Sequence, residues 1–455
     1  MPEPAVPLSA YGARCTAPSP AGRMMAAVSA QLRPGVDVNL GVGYVNEATL
    51  PLEAIRDAVA AIAARDPGYP RALNYGGPRG EPHLLEAIRR FLRRRDAGPV
   101  PEAVLARRAV VPGAAGATSL LEALSAVLAP GLVLTTDPTY YIFADLLARR
   151  GFEVVAVPED AQGAVPEALH AAASALGDRL RLLRFVYVMG VSNPTGSLLG
   201  NDRRRLLVRL ASILSHACRR PVPLVIDRAY DDLVHDPLAE RPESMAAHDA
   251  DGLVYELDTL SKTVAPGLRI GWCVGPPGPL SDAMAQHGSD VGFSAPPLSQ
   301  AVAAHVLDHA IDGQIALVRA DYRARALQVR ALLDARLGPN LAEVRGGAAG
   351  FYYWLTLRDV ETTEGSAVFR YCTRTTGDPE MDGPPHEPRA RLVYLPGEHC
   401  VQPGGALAGP ARRQLRLSYA YEPPEALERA VDILGDAVAY ARAQPRDRSA
   451  TALPR

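Results

Sequence analysis

Lysine is almost absent from this chain of 455 residues. Its Lys and Arg residues number 48, and all of them except Lys262 are Arg. Arginine keeps its proton at any usable pH, so it replaces lysine in ion pairs but cannot attack a carbonyl as a free amine. A lysine kept among so many arginines is therefore a candidate nucleophile. From composition alone, the alternative is an accidental position on a solvated surface.

Other scarcities exclude whole classes of protein. The five cysteines never form a CxxC pair, which argues against structural zinc or a disulfide framework and favours a reduced, cytoplasmic location. No run of about 18 apolar residues and no basic-then-apolar N-terminus occurs, so neither a membrane span nor an export signal is expected. The formal net charge of −2 gives no general reason to expect nucleic acid or an anionic membrane as a partner. No His/Asp/Glu cluster supports a metal site or a metal hydrolase.

The chain is too long for one hydrophobic core, so two domains are expected. From about residue 51, helical patterns alternate with short apolar runs at 131–137, 152–158, 180–190, 222–230, 253–260 and 269–275. This alternation predicts an α/β fold with a largely parallel sheet covered by helices on both faces.

The pattern changes near residue 318. A long helical segment is followed by short strands, a Gly/Pro-rich stretch at 374–390 that predicts a mobile loop, and a last helix near 424–443. We expect an N-terminal arm and part of a small domain at 1–50, a large domain at 51–317 and a C-terminal α+β small domain at 318–455. The tail after about 444 is predicted to be disordered.

Several polar residues lie in apolar surroundings that suggest chemistry. Asp227 ends the strand "LVID", where a buried carboxylate is costly unless it is paired. Arg416 interrupts another apolar strand, "LRLSY". The segment "VVPGAAGATSLLEAL" is a strand, a turn of small residues and a helix start, where backbone N–H groups can approach a phosphate.

Four segments occur in the order "SNPTG" (192–196), "DRAY" (227–230), "TLSKTVAPGLRIGW" (259–272) and "LRLSY" (415–419). Together they resemble the class I/II aminotransferases among the fold type I pyridoxal-phosphate-dependent enzymes, over about residues 38 to 440. The resemblance implies a mostly parallel, mixed seven-stranded sheet flanked by helices, with a smaller α+β domain. It also implies pyridoxal 5′-phosphate as cofactor and a homodimer with shared active sites.

The resemblance assigns roles to individual residues. Lys262 would form the Schiff base and move protons, Asp227 would pair with the protonated pyridine nitrogen, and Tyr140 would stack on the ring. Further cofactor contacts are implied for Ala114, Ala115, Asn193, Tyr230, Thr259, Ser261, Arg269 and, from the neighbouring subunit, Tyr75. Substrate contacts are implied for Arg416, which grips the α-carboxylate, and for Gly43, Tyr44 and Asn193.

Structural alternatives remain for some of these positions. Asp227 could cap a helix or lie in a surface loop, Asn193 could only shape its turn, and Tyr75 could be a buried loop tyrosine. Departures from the family pattern at Tyr44, at His399 and in 374–390 fall where substrate side chains are selected.

The predicted reaction moves an amino group between an L-amino acid and a 2-oxo acid. A lyase or a β/γ-replacement enzyme of secondary metabolism, possibly using S-adenosylmethionine, is the alternative, because the same motifs stabilise the same carbanion. Transcriptional regulators that reuse this domain carry a winged-helix arm before it. They are disfavoured because only about 35 residues without a basic recognition helix precede the core. No second arginine can be assigned to a distal carboxylate, so we expect an aromatic or large aliphatic amino acid.

Overall fold

The computed structural model describes residues 6–29, 32–65 and 68–444. The tail predicted to be disordered lies outside these residues. The strands are β1 (Val38–Asn39), β2 (Ala109–Pro112), β3 (Leu132–Asp137), β4 (Glu153–Pro158), β5 (Leu183–Met189), β6 (Leu224–Asp227), β7 (Val254–Thr259), β8 (Gly271–Gly275), β9 (Leu341–Gly346), β10 (Tyr352–Leu357), β11 (Leu392–Val393), β12 (Leu395–Pro396) and β13 (Gln414–Ser418).

The helices surround and connect these strands. They are α1 (Ala10–Arg14), α2 (Pro20–Ser29), α3 (Leu52–Ala63), α4 (Gly68–Ala72), α5 (Pro82–Arg94), α6 (Glu102–Leu105), α7 (Gly116–Val127), α8 (Tyr141–Arg150), α9 (Pro166–Ala175), α10 (Asn201–Cys218), α11 (Pro279–Gly292), α12 (Pro297–His309), α13 (Ile311–Leu337), α14 (Ala367–Thr373), α15 (Pro379–Asp382) and α16 (Pro424–Ala443).

The large sheet has seven strands in the order β2-β8-β7-β6-β5-β3-β4. All neighbours pair in parallel except β8, which runs antiparallel to β2 and β7. Strands β3, β7 and β8 are buried along their whole length, as expected in a sheet that is covered on both faces. The predicted mixed, mostly parallel seven-stranded sheet is confirmed.

A smaller antiparallel sheet, in the order β12-β13-β10-β9, follows the long helix α13. Its core continues into α16 and includes Trp354, Leu415 and Leu434, which are fully buried. Strand β1 pairs in parallel with β11, so the chain near residue 38 joins the C-terminal part of the fold. The exact domain limits given above stay a prediction.

Two segments are more regular than their composition indicates. The Pro/Ala-rich arm contains α1 and α2, and Ala21 and Met24 of α2 are buried in the core of the small sheet. The stretch 374–390 contains the short helix α15, and Arg374 Nε donates to the Ala390 carbonyl at 2.9 Å. Within the described residues, none of the helices has the length and apolarity needed to cross a bilayer.

Candidate active site

The parallel strands of the large sheet bring their carboxyl ends to one edge, where ligand sites of open α/β sheets form. Strand β6 ends there at Asp227 and β7 at Thr259, and the chain after β3 continues into Tyr140. A cavity of about 310 Å³ opens at this edge. Its walls include most of the predicted site residues, namely Gly43, Tyr44, Tyr140, Asn193, Asp227, Tyr230, Thr259, Ser261, Lys262, Arg269 and Arg416.

Lys262 reaches into the cavity from the segment that follows β7. Its Nζ donates to the Gly43 carbonyl at 2.9 Å and lies 5.8 Å from the ring centre of Tyr230. Burial lowers the pKa of the amine from 10.5 to about 8, and the charges of Arg416 and Arg269 act in the same direction. A substantial fraction of this amine is therefore neutral, and nucleophilic, at mildly alkaline pH.

Asp227 faces the cavity, and within the described part of the chain its carboxylate accepts hydrogen bonds from neutral donors alone. Tyr187 Oη donates to Oδ2 at 3.1 Å, and the backbone N–H of Ala229 donates to Oδ1 at 3.0 Å. Burial raises the pKa of this carboxyl from 3.8 to about 6, because these two bonds offset only part of the lost hydration. A buried carboxylate that is held by neutral donors is suited to bind a positively charged atom of a ligand.

Arg269, Thr259 and Ser261 form a cationic, hydroxyl-rich corner beside the start of α7. Arg269 Nη2 donates to the Ala115 carbonyl at 2.7 Å, and Thr259 Oγ1 lies 2.9 Å from Ser261 Oγ. Gly116 opens α7 with φ of +72°, and a Cβ there would lie 3.2 Å from Arg269 Nη2. A guanidinium, two hydroxyls and a helix start together make a site for a phosphate.

The predicted phosphate contacts Ala114 and Ala115 lie in the turn just before α7. Ala117 and Thr118 line the cavity, whereas Ala114 and Ala115 precede the helix and lie outside the lining. The N–H of Ala115 donates to Ser119 Oγ at 2.8 Å. Because every residue of this turn is small, the sequence could not reveal which ones face the cavity.

Arg416 enters from strand β13 with its guanidinium buried and, among residues 6–29, 32–65 and 68–444, without a carboxylate partner. Nη1 donates to Asn193 Oδ1 at 2.7 Å and Nη2 to the Gly41 carbonyl at 2.5 Å. The guanidinium lies 4.4 Å from the ring centre of Tyr352. Among the described residues, its Nε has no hydrogen-bond partner. A buried cation with an unused donor is prepared for an anionic group such as a carboxylate.

The predicted aromatic residues differ in where they lie. Tyr140 precedes α8 on the cavity wall and meets Tyr141 edge to face, with ring centres 6.1 Å apart. Tyr44 is 60% exposed at the mouth and packs on Tyr421 at 5.5 Å. Tyr75 is 83% exposed, lies outside the cavity and packs on Phe293, so the alternative of a buried loop tyrosine is wrong.

Sequence reasoning missed two further tyrosines of the site, Tyr187 and Tyr352, and His399, where the sequence departs from the family pattern, lies outside the cavity. Tyr187 donates to Asp227 from β5, and Tyr352 lines the cavity from the first position of β10. His399 is absent from the cavity lining, and its Nε2 lies 3.5 Å from the carboxylate of Glu364. A polar tyrosine inside the apolar run "FVYVMG" is the one feature that could have indicated Tyr187.

Comparison with known proteins adds a family and a fold. The family model described as aminotransferase class I and II matches residues 36–434. The chain is 26% identical over 395 residues to the uncharacterized HTH-type transcriptional regulator YisV of Bacillus subtilis (strain 168), covering 86% of this chain and 72% of that protein. It is 26% identical over 349 residues to the mitochondrial kynurenine/alpha-aminoadipate aminotransferase of Mus musculus, covering 72% and 79%.

Solved structures show the same fold. The multiple substrate aminotransferase from Thermococcus profundus matches with a TM-score of 0.80 and 21% identity, covering 96% of this chain and 98% of that one. The predicted family, fold class and aminotransferase assignment are confirmed. The elimination or replacement alternative is not favoured, because the family model and the mouse enzyme are both named for amino transfer.

Proposed function

We propose that this chain, which belongs to the aminotransferase class I and II family, moves the amino group of an aromatic or large apolar amino acid to a 2-oxo acid with pyridoxal 5′-phosphate as cofactor. The observation that carries the proposal is the shared cavity. The chain's single lysine lines this cavity together with the buried carboxylate of Asp227 and with buried Arg416, which has no carboxylate partner among the described residues. The guanidinium and hydroxyl groups that are suited to a phosphate line the same cavity.

The residues present fit this cofactor. Arg269, Thr259 and Ser261 would hold its phosphate at the start of α7, and Tyr140 would cover one face of its ring. Asp227, which has only neutral donors, would hold the protonated ring nitrogen, and the ion pair would lower the pKa of this carboxyl again. When bound, pyridoxal phosphate supplies an aldehyde that condenses with amines and a ring that withdraws electrons from the bonds at the substrate Cα.

Lys262 would act twice. Its neutral Nζ would condense with the aldehyde of the cofactor and release water, which requires loss of the ammonium proton at a pH that the lowered pKa of about 8 makes accessible. Once an amino acid had taken its place on the cofactor, the same nitrogen would take the proton from the substrate Cα and deliver it to the former aldehyde carbon of the cofactor; water would then release the 2-oxo acid and leave the amino group on the cofactor. Arginine could do neither, because it does not release a proton.

Arg416 would orient the substrate by its α-carboxylate. The Nη atoms are already held by Asn193 and Gly41, so the fork is fixed before the ligand arrives, and Nε is available to donate. A fixed guanidinium fork favours bidentate binding of a planar carboxylate. Orienting Cα in this way places its C–H bond toward the catalytic nitrogen.

The walls of the cavity favour a neutral side chain on the substrate. Among the described lining residues the cations are Lys262, Arg269 and Arg416, and each already has a proposed task. Tyr141 and Ile142 contribute apolar surface on the same walls. The mouse relative is named for both kynurenine and aminoadipate, so its name does not decide between a neutral and an acidic side chain. The described lining residues include no further cation for a second carboxylate, which favours a neutral side chain.

A homodimer in the cytoplasm completes the proposal. Leu73, Tyr75, Val291 and Phe293 are all exposed, Tyr75 and Phe293 pack on each other, and exposed apolar patches commonly mark interfaces. The resemblance gives Tyr75 a role at the phosphate of the neighbouring subunit, which its exposed position outside its own cavity supports. Size-exclusion chromatography with light scattering, on wild type and Tyr75→Ala, tests the assembly.

A half-reaction panel tests the reaction and the substrate class. Protein loaded with pyridoxal phosphate is mixed with phenylalanine, tyrosine, leucine, aspartate or glutamate, and the pyridoxamine form and the 2-oxo acid are quantified. We expect the aromatic acids to react fastest, and Lys262→Arg, which keeps a cation, to be inactive and colourless. Faster reaction of aspartate or glutamate would contradict the substrate class. Release of ammonia without the pyridoxamine form would instead support elimination.

A further inference from the structure

Tyr352 contacts three groups of the site although no motif marks it. Its ring lies under the guanidinium of Arg416 at 4.4 Å, and its Oη lies 2.9 Å from Tyr230 Oη. A Cβ at Gly43 would lie 2.5 Å from that same Oη, so the backbone that accepts from Lys262 passes directly against the hydroxyl. Tyr352 itself is 1% exposed.

The direction of the bond between the two hydroxyls follows from their donor capacity. A tyrosine has a single O–H donor and can accept two bonds. The family resemblance implies that Tyr230 contacts the cofactor by donating its only proton to the ring oxygen. Tyr230 Oη can then take part in the 2.9 Å contact only as acceptor, and Tyr352 is the donor.

We infer that Tyr352 is a positioning residue whose hydroxyl, acting through Tyr230, strengthens the hydrogen bond to the cofactor's ring oxygen and so tunes the proton held at Lys262 Nζ. The inference rests on the proposed function. Hydrogen bonds in a chain polarise one another, so a donor behind Tyr230 makes Tyr230 a better donor. The Arg416 cation on the Tyr352 ring withdraws electrons and acts in the same direction.

The effect has a defined sign. A hydrogen bond donated to the anionic ring oxygen of the cofactor stabilises the form in which Lys262 Nζ has lost its proton. It therefore lowers the pH at which that proton leaves. Removing the Tyr352 hydroxyl therefore raises the pH midpoint of the visible absorption change of the loaded protein. Cooperative strengthening of roughly 10–30% per bond corresponds to a shift on the order of 0.3 pH unit.

Tyr352→Phe is the test, because phenylalanine keeps the ring under Arg416 and removes only the hydroxyl. Tyr353→Phe is the matched control. Tyr353 is the next residue of the same strand, is also buried, and donates to the Ala326 carbonyl at 2.8 Å, away from the cavity. Both variants lose one buried hydroxyl bond, so their melting temperatures should fall by similar amounts, but only Tyr352→Phe should shift the spectroscopic midpoint.

A double-mutant cycle separates the relay from a direct effect. Tyr230→Phe should raise the midpoint by about one pH unit, and adding Tyr352→Phe should then produce no further shift. An unchanged midpoint in Tyr352→Phe, the same shift in Tyr353→Phe, or an undiminished shift in the Tyr230→Phe background would each overturn the inference. A wild-type protein that develops no visible band with pyridoxal phosphate would instead refute the proposed function.

Discussion

Replacing Asp227 with asparagine should stabilise the protein without its cofactor while impairing the cofactor site. The folded-state pKa of this carboxyl is about 6, above the ordinary value of 3.8, because burial favours the neutral form. Above pH 6 the group is ionised in both the folded and the unfolded state, and folding carries the full cost of burying the charge. As the pH falls from 6 towards 4 the folded state takes up a proton first, and the cost disappears.

The size of this effect follows from the two pKa values. A difference between about 6 and 3.8 corresponds to about 3 kcal/mol of folding free energy when the group is fully ionised. Asparagine offers one oxygen where the carboxylate accepts from both Tyr187 and Ala229, and weakening one of these bonds costs about 1 kcal/mol. The cofactor-free variant should therefore be about 2 kcal/mol more stable than wild type at pH 8.

Thermal unfolding of the cofactor-free proteins between pH 4.5 and 8.5 measures this difference. Asp137→Asn is the matched control, because burial also raises the pKa of Asp137 to about 6 and its carboxylate accepts the backbone N–H of Gln402 outside the cofactor site. Both variants should melt higher than wild type at pH 8, and the gain should vanish near pH 4.5. When pyridoxal phosphate is bound, Asp227→Asn should melt below wild type, because this variant lacks the ion pair with the protonated ring nitrogen. Asp137→Asn should still melt above wild type at pH 8. A gain that does not depend on pH, or a loss at pH 8, would refute the reasoning.

The remaining predictions concern the cations of the cavity and the contact at Gly43. Arg416→Gln should raise KM for every amino acid by about 100-fold with a smaller change in kcat, as steady-state kinetics would show; an unchanged KM would remove this residue from the carboxylate site. The rate at which cofactor-free protein develops its visible band should rise with pH to a midpoint near 8, the pKa to which burial lowers Lys262, and a midpoint near 10.5 would contradict a buried amine. Arg269→Gln should weaken cofactor binding at least tenfold in a fluorescence titration, and inorganic phosphate should compete with the cofactor in wild type. Gly43→Ala should displace the Tyr352 hydroxyl, because its Cβ would lie 2.5 Å from Tyr352 Oη, and lower activity at least tenfold; wild-type activity would show that the two groups separate easily.

The fold was predictable where a sequence pattern reports burial directly. Strand β8 is a run of small and apolar residues that is buried throughout, so its composition alone indicated a buried strand. The helices of the arm were not identified, because an Ala/Pro-rich segment shows little periodicity and α2 owes its position to the packing of Met24 in the small-sheet core.

The residues of the candidate site also differ in whether the sequence alone could identify them. Lys262, Asp227 and Arg416 were identifiable because a lone lysine or a charge inside an apolar strand needs a chemical reason. Tyr187 and Tyr352 were not, because the chain has 17 tyrosines and a buried tyrosine needs no such reason. In "FYYWL" the sequence cannot tell which neighbouring tyrosine faces the cavity, since that depends on strand pairing with β9 and β13.

Burial and the charges around Lys262 both bear on the two tasks proposed for its amine. Arg416 and Arg269 both lower its pKa, whereas Asp227 raises it. While the two arginines lack anionic ligands the amine sheds its proton readily, which is the state that attachment of the cofactor requires. A phosphate on Arg269 and a substrate carboxylate on Arg416 would offset those two positive charges and so remove their lowering effect on the pKa of Lys262. Because arginine does not release its proton, these two charges are changed by the ligands they bind and not by the pH.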